Sequence, residues 1–171
     1  MLRDDRSPGI IVSVRSEEMV CESVQISNAS PPELGEILAL LSAVDLPHEG
    51  VAEHLAGFLV ARDGEGRLLG TVGLERHGST GLLRSAAVVA ELQHSGVGSC
   101  LTAALLKRAT EAGVEKVVLL TSTARDFFAR RFGFSEAALS DYEEQLTASP
   151  EWKLPRCSSA VCLSLDLKGL K

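Results

Sequence analysis

The feature that most constrains this chain is the run from Leu82 to Leu120. Leu82-Leu83-Arg84-Ser85-Ala86-Ala87-Val88 reads as a strand that ends at Val88. The loop that follows carries Gln93-His94-Ser95-Gly96-Val97-Gly98. Val97, Leu101, Ala104, Leu105, Ala109 and Ala112 then recur at helical spacing, and Gly113 is a stop signal. Val117-Val118-Leu119-Leu120 is a short, fully apolar strand of the kind found at sheet centres. A strand, a glycine loop, a helix and a second strand in this order confine the chain to a mixed α/β architecture.

The flanking segments complete that picture. A first strand runs through Ser23-Val24-Gln25-Ile26. Ser30-Pro31-Pro32-Glu33 is a helix start, with a capping serine, a proline at the first helical position and a capping-box glutamate. Leu34, Ile37, Leu38 and Leu41 continue it, and Asp45-Leu46-Pro47 breaks it. A shorter helix is expected through Val51 and Leu55. Phe58 to Ala61 and Leu68 to Leu74 form a hairpin about Asp63-Gly64-Glu65-Gly66. Beyond Leu120 the expectation is a short helix around Arg125 to Arg131, a strand entering at Gly133-Phe134, and a last strand from Val161 to Leu165. Residues 1–19 read as an extension and residues 20–171 as one domain.

Charge and cysteine usage narrow the function classes. Lys plus Arg number 17 against 23 acidic residues, a formal net charge of −6 with no long basic block. Backbone binding to nucleic acid needs a positive patch, so a nucleic-acid partner is not expected. No run approaches the length of a membrane span, and no sustained apolar region follows the first positive charges, so neither a membrane partner nor a secretory signal is expected. The four cysteines, Cys21, Cys100, Cys157 and Cys162, show no metal-site spacing and are sparse for a disulfide scaffold. They read as reduced thiols in a cytoplasmic setting, with Cys100 a small packing residue. No metal is expected.

The glycine loop carries the chemistry. A strand-to-helix turn exposes successive backbone N–H groups, a nest that binds phosphate oxygens without a basic side chain. Gly96 and Gly98 lack a Cβ, so an anion can approach closely. The loop is not a Walker A motif, since no Gly-Lys-Ser/Thr follows, and it lacks the third glycine of the dinucleotide fingerprint.

Gln93-x-x-Gly96-x-Gly98 resembles the pyrophosphate motif Q/R-x-x-G-x-G/A of the GNAT N-acetyltransferase superfamily, and Phe127-Phe128-Ala129-Arg130-Arg131-Phe132-Gly133-Phe134 resembles its second motif. Leu83-Arg84-Ser85-x-Ala87-Val88, Leu120-Thr121 and Asp126 to Arg130 are similar to a narrower branch: arsenic-resistance-associated N-acetyltransferases and short N-acetylglutamate synthases. The tail Leu154 to Val161 resembles the first of these. The resemblance implies the GNAT (acyl-CoA N-acyltransferase) fold, a mixed central sheet flanked by helices and splayed between the fourth and fifth strands. It implies an acetyl-CoA-dependent acyltransferase acting on a small-molecule amine, and it admits a homodimer. A non-catalytic acyl-CoA-binding regulatory domain is the competing reading, and an N-acetylglutamate synthase-like enzyme another.

On that resemblance the N–H groups of His94, Ser95, Gly96, Val97 and Gly98, with Gln93, would hold the pyrophosphate. Ala87 and Val88 would pair with the pantetheine arm, and Phe128 would lie near the thioester. The Val88 N–H would polarise the acetyl carbonyl. Glu75, at a strand end, is the expected general base, acting through water; the alternative is a solvated glutamate. Arg84 is expected to bind an acceptor carboxylate, with a structural salt bridge as the alternative. Many superfamily members place a tyrosine acid where Ala129 stands here. Thiolate release is then left to Thr121 or Ser122, to water, or to no acid at all. His48, His54 and His77 lack partners at ligand spacing and read as surface or core residues. Tyr142 and Trp152 either shape an acceptor pocket or dock the C-terminal segment.

Overall fold

The computed structural model describes residues 20–155 and 160–170. Its sheet has seven strands: β1 Gln25–Asn28, β2 Phe58–Arg62, β3 Leu68–His77, β4 Thr80–Val88, β5 Lys116–Thr121, β6 Ser135–Ala137 and β7 Val161–Asp166. The spatial order is β1-β2-β3-β4-β5-β7-β6. Every pairing is antiparallel except β4 with β5. The helices are α1 Leu34–Ala43, α2 Val97–Glu111, α3 Arg125–Phe132 and α4 Glu143–Leu146. This is the GNAT fold.

Alternation along the strands divides the core between the two sheet faces. Leu59, Leu74, Leu83 and Leu119 pack with Leu101, Leu105 and Ala109 of α2. On the other face, Phe58 and Val60 pack with Ile37, Leu40 and Leu41 of α1. Leu82 and Val118 on that face meet Tyr142, Leu146 and Trp152. The start of α1 is built as its residues dictate: the Ser30 N–H donates to Glu33 Oε1 at 2.8 Å. Glu33 and Glu36 both pair with Arg62 at 2.7 Å, which ties α1 to β2.

Two features open the sheet. The β4–β5 pairing covers only Thr80–Leu83 against Lys116–Leu119, so the strands diverge from Arg84 onward. At the same point β4 is bulged: Gly73 faces Arg84 and Thr71 faces Ala87, so Ser85 and Ala86 together oppose Val72. Ser85 takes φ 59° to do this. A bulge bends its strand and increases its twist, which here happens where β5 departs.

Several expectations are corrected. Val51 to Leu55 forms turns and a short 3-10 turn, Leu55–Gly57, in place of a helix. Gly50 at φ 83° and Gly57, whose position has no room for a Cβ, break that segment. The strand expected at Gly133-Phe134 begins at Ser135, because Gly133 is the left-handed cap of α3. Cys100 is not simply a packing residue and Cys21 is not a free thiol: the two form a disulfide across a separation of 79 residues. It ties the helical residues 20–23 to α2, so the expectation of reduced cysteines fails at this pair. Cys162 is buried. Residues 1–19 and Cys157 lie outside the described residues. Among the described residues, no helix is long and apolar enough to cross a membrane.

Candidate active site

The divergence of β4 and β5 leaves a cavity of about 1060 Å³. At one end is the loop that enters α2. His94 takes φ 68° and Gly96 φ 109°, an arrangement that turns successive N–H groups to one side. The first bond of the α2 ladder runs from the Cys100 N–H to Gly96 O, leaving the N–H groups of Val97, Gly98 and Ser99 outside the ladder. The Ser95 N–H differs from expectation, because it donates to Leu92 O at 3.1 Å. Its side chain compensates: Ser95 Oγ is buried at the cavity with no hydrogen-bond partner. Gln93 Nε2 donates to Val88 O at 3.2 Å and so braces the loop against β4.

The strand β4 supplies the cavity floor. The Val89 N–H bonds to Leu69 O of β3 at 2.9 Å. Backbone groups alternate along a strand, so the Val88 N–H points to the other edge, into the splay. By the same alternation the Ala87 backbone faces its β3 partner Thr71, so of the two residues expected beside a pantetheine arm it is Val88 whose N–H faces the splay. Ala87, Val88, Gln93, His94, Ser95, Gly96 and Gly98 all line the cavity. Val97 does not; its side chain is buried in the core beneath α2.

Phe127 and Phe128 of α3 line the cavity with Thr121. Phe128 is buried, edge-to-face with Phe127 and Phe134. Thr121 Oγ1 accepts the Ala124 N–H at 2.9 Å, so this hydroxyl shapes the entry to α3 while facing the cavity. The chain's single tyrosine, Tyr142, is buried in the third core cluster and does not line the cavity.

The other end of the cavity is charged. Arg84 lines it, but is 2% exposed and extensively paired. Its Nη1 donates to Glu75 Oε2 at 2.7 Å, and its Nε lies 3.0 Å from Ser85 Oγ and 3.2 Å from Glu151 Oε1. Its Nη2 has one longer contact, 3.5 Å to Pro47 O. The fit is close: a Cβ on Gly50 would stand 2.9 Å from Arg84 Nη1.

Glu75 is neither solvated nor open to the cavity. Its side chain is fully buried and absent from the cavity wall. Burial alone would push its carboxyl up, but hydrogen bonds from Arg84, His77 and Ser149, with His54 nearby, hold it below the usual carboxylate range. A buried, ion-paired carboxylate with a lowered pKa is a poor base. His54 and His77 are likewise not isolated, lying 3.7 and 3.0 Å from Glu75 Oε1. His48 bonds Ser42 at 2.8 Å.

The carboxylate that does face the cavity is Glu151, which the sequence reading passed over. Its position follows from its neighbours. Trp152 is buried against Leu82, Val118 and Leu146, which docks the C-terminal segment. Ser149 hydrogen-bonds Glu75, and the Trp152 N–H donates to Ser149 Oγ at 3.2 Å. Glu151 is thereby held beside Arg84. Burial pushes its carboxyl up to about 7, with Arg84 pulling it down and Glu75 pushing it up. The sequence signal for it was slight: an acid next to the chain's only tryptophan.

The fold is that of solved acyl-CoA N-acyltransferases. Residues 54–136 match the family profile described as an acetyltransferase (GNAT) domain. No curated protein matches the chain. Among solved structures, Rv2747 from Mycobacterium tuberculosis, in complex with CoA and NLQ, is 22% identical with a TM-score of 0.70, covering 84% of this chain and 99% of that one. N-acetylglutamate synthase from Neisseria gonorrhoeae, complexed with coenzyme A and L-arginine, is 22% identical with a TM-score of 0.67. That match covers 84% of this chain but 33% of the synthase, so the chain spans about a third of that relative's length. The ribosomal-protein-S18-alanine N-acetyltransferase of Escherichia coli is 15% identical with a TM-score of 0.64, covering 84% and 93% of the two chains.

Proposed function

We propose that this protein transfers the acetyl group of acetyl-CoA to the primary amine of a small, amino-acid-like acceptor. One observation carries the reading: a helix N-terminus with N–H groups outside its ladder and an unpartnered Ser95 hydroxyl meets one end of a cavity whose other end holds Arg84 and Glu151. The first end suits a pyrophosphate. The second presents a cation and a carboxylate side by side, the complement of an amino acid's own charges. The Val88 N–H, aimed into the splay between them, is placed to polarise the thioester carbonyl. Phe127 and Phe128 supply an apolar wall for the acyl end, and Thr121 faces the same space.

In this reading Arg84 Nη2, the guanidinium nitrogen with only the long Pro47 contact, takes the acceptor's acid group. Glutamate-like amines and arsenic-containing amino acids both offer that group next to an amine. The test is thiol release from acetyl-CoA with glutamate, glutamine, an arsinothricin-like amino acid, spermidine and an aminoglycoside. Arg84→Lys keeps the charge and removes the planar fork. It is expected to lower kcat/KM for the preferred acceptor at least tenfold and leave acetyl-CoA affinity unchanged. A preference for the polycations, or unaltered acceptor kinetics in Arg84→Lys, would withdraw the amino-acid acceptor. Acetyl-CoA binding without thiol release to any amine would favour a regulatory acyl-CoA-binding domain, a reading that the lack of a cavity tyrosine supports.

A further inference from the structure

We propose that Glu151, presented by the C-terminal segment, is the general base that takes the proton from the acceptor ammonium. This rests on the acetyltransferase reading above. The geometry gives it that place. Glu151 lines the cavity, its Oε1 lies 3.2 Å from Arg84 Nε, and its side chain is 12% exposed. Glu75, the carboxylate one strand away, is sealed behind Arg84. Arg84 therefore pairs with two carboxylates in different environments, Glu75 fully enclosed and Glu151 on the cavity wall. The charged groups that act on Glu151 are Arg84 from β4 and Glu75 from β3, and among the described residues His94 and Arg131 are the other ionisable residues on the cavity wall besides Arg84.

The proton inventory closes. The Glu151 carboxylate takes one proton from the R–NH3⁺ acceptor. The freed lone pair forms the C–N bond to the thioester carbon, while the carbonyl π pair moves to oxygen, facing the Val88 N–H. The carbonyl re-forms as the C–S bond breaks, its electron pair leaving on sulfur. The nitrogen sheds a second proton, which neutralises the thiolate, and Glu151 returns its own to water. A carboxyl raised by burial accepts a proton more readily than an ordinary glutamate. Two carboxylates with pKa values driven apart is also how one site separates a base from a structural charge.

The experiment compares wild type and Glu151→Gln by thiol release, with glutamate and the other amines named above as probes, from pH 6 to 10. Acetyl-CoA affinity is measured alongside. The expected result is a loss of roughly 10²–10⁴ in kcat/KM at pH 7 with unchanged acetyl-CoA affinity. The loss should shrink as the pH approaches the amine's own pKa, where the acceptor deprotonates unaided. A rate within threefold of wild type at pH 7 overturns the proposal. So does a deficit that stays constant to pH 10, or one accompanied by lost acetyl-CoA binding, since either marks a structural role. If Glu151→Gln does not fold, Glu151→Asp is used: the acid limb of its pH profile should shift, and an unmoved limb overturns the proposal. Wild type that binds no acetyl-CoA, or that binds it but acetylates none of these amines, removes the acetyltransferase reading and this proposal with it.

Discussion

Arg84 Nη1 and Glu75 Oε2 meet at 2.7 Å with both side chains fully enclosed. The pair lies diagonally across β3 and β4, at the point where β5 leaves the sheet. Taking two charges out of water is unfavourable, and breaking such a pair leaves one of them uncompensated. Glu75→Ala is therefore expected to lower stability by about 3–5 kcal/mol, measured by urea unfolding. Glu75→Ala with wild-type stability and a large rate loss would instead restore Glu75 as a base.

The glycine loop separates two roles that a sequence motif merges. A Cβ on Gly98 would meet Val88 Cγ2 at 3.7 Å, an ordinary contact, so Gly98→Val should fold normally. Its side chain would stand beside the N–H groups that suit an anion. We expect at least a tenfold loss of acetyl-CoA affinity with an unchanged circular dichroism spectrum. Gly96→Val faces a different obstacle, because φ 109° is a left-handed conformation that a β-branched residue resists. It should lose about 1–3 kcal/mol of stability in addition. Equal stability of the two variants would contradict this division.

Stability should carry the signature of both carboxylates. Glu151 has a folded pKa raised to about 7, so folding favours its protonated form. Its ionisation destabilises the fold as pH rises from the unfolded value near 4.5 to about 7, an effect of about 3 kcal/mol when complete. Glu151→Gln lacks this titration. Its stability relative to wild type should increase across that window and level off above it. Glu75 works in the opposite sense: its lowered pKa stabilises the fold above the unfolded value, and this is lost as the pH falls through the folded one. Urea midpoints of wild type and Glu151→Gln from pH 4 to 8 check the Glu151 sign, and parallel curves would contradict it.

The Cys21–Cys100 bond closes a long loop, its ends 79 positions apart in sequence. A cross-link of that span restricts the unfolded chain by about 4 kcal/mol in the loop-entropy account, and less when native strain intervenes. Cys21→Ser is expected to lower stability by about 2–4 kcal/mol under non-reducing conditions. Under a strong reductant, wild type should fall to the same level. A Cys21→Ser protein as stable as oxidised wild type would contradict this.

The sequence was most legible where local rules act alone. The β2–β3 turn, the capping of α1, and the strand–loop–helix–strand run from Leu82 to Leu120 all follow from periodicity, glycine placement and capping chemistry. What escaped it depends on distant segments meeting. Glu75 and Arg84 are nine positions apart in the chain, and only the β3–β4 register sets them across from one another. Glu151 reaches the same point because Trp152 docks its segment on the sheet, a packing event with no local pattern. His54 and His77 converge on Glu75 by the same route. The bulge at Ser85 was also invisible, since serine carries no bias toward φ 59° comparable to that of glycine.

Calorimetric titration with acetyl-CoA tests the central claim most directly, run on wild type and Gly98→Val together. The account predicts saturable one-to-one binding to wild type, competed by coenzyme A, and binding at least tenfold weaker in a folded Gly98→Val. Absence of heat from wild type at millimolar acetyl-CoA, or equal affinities in the two proteins, would contradict it.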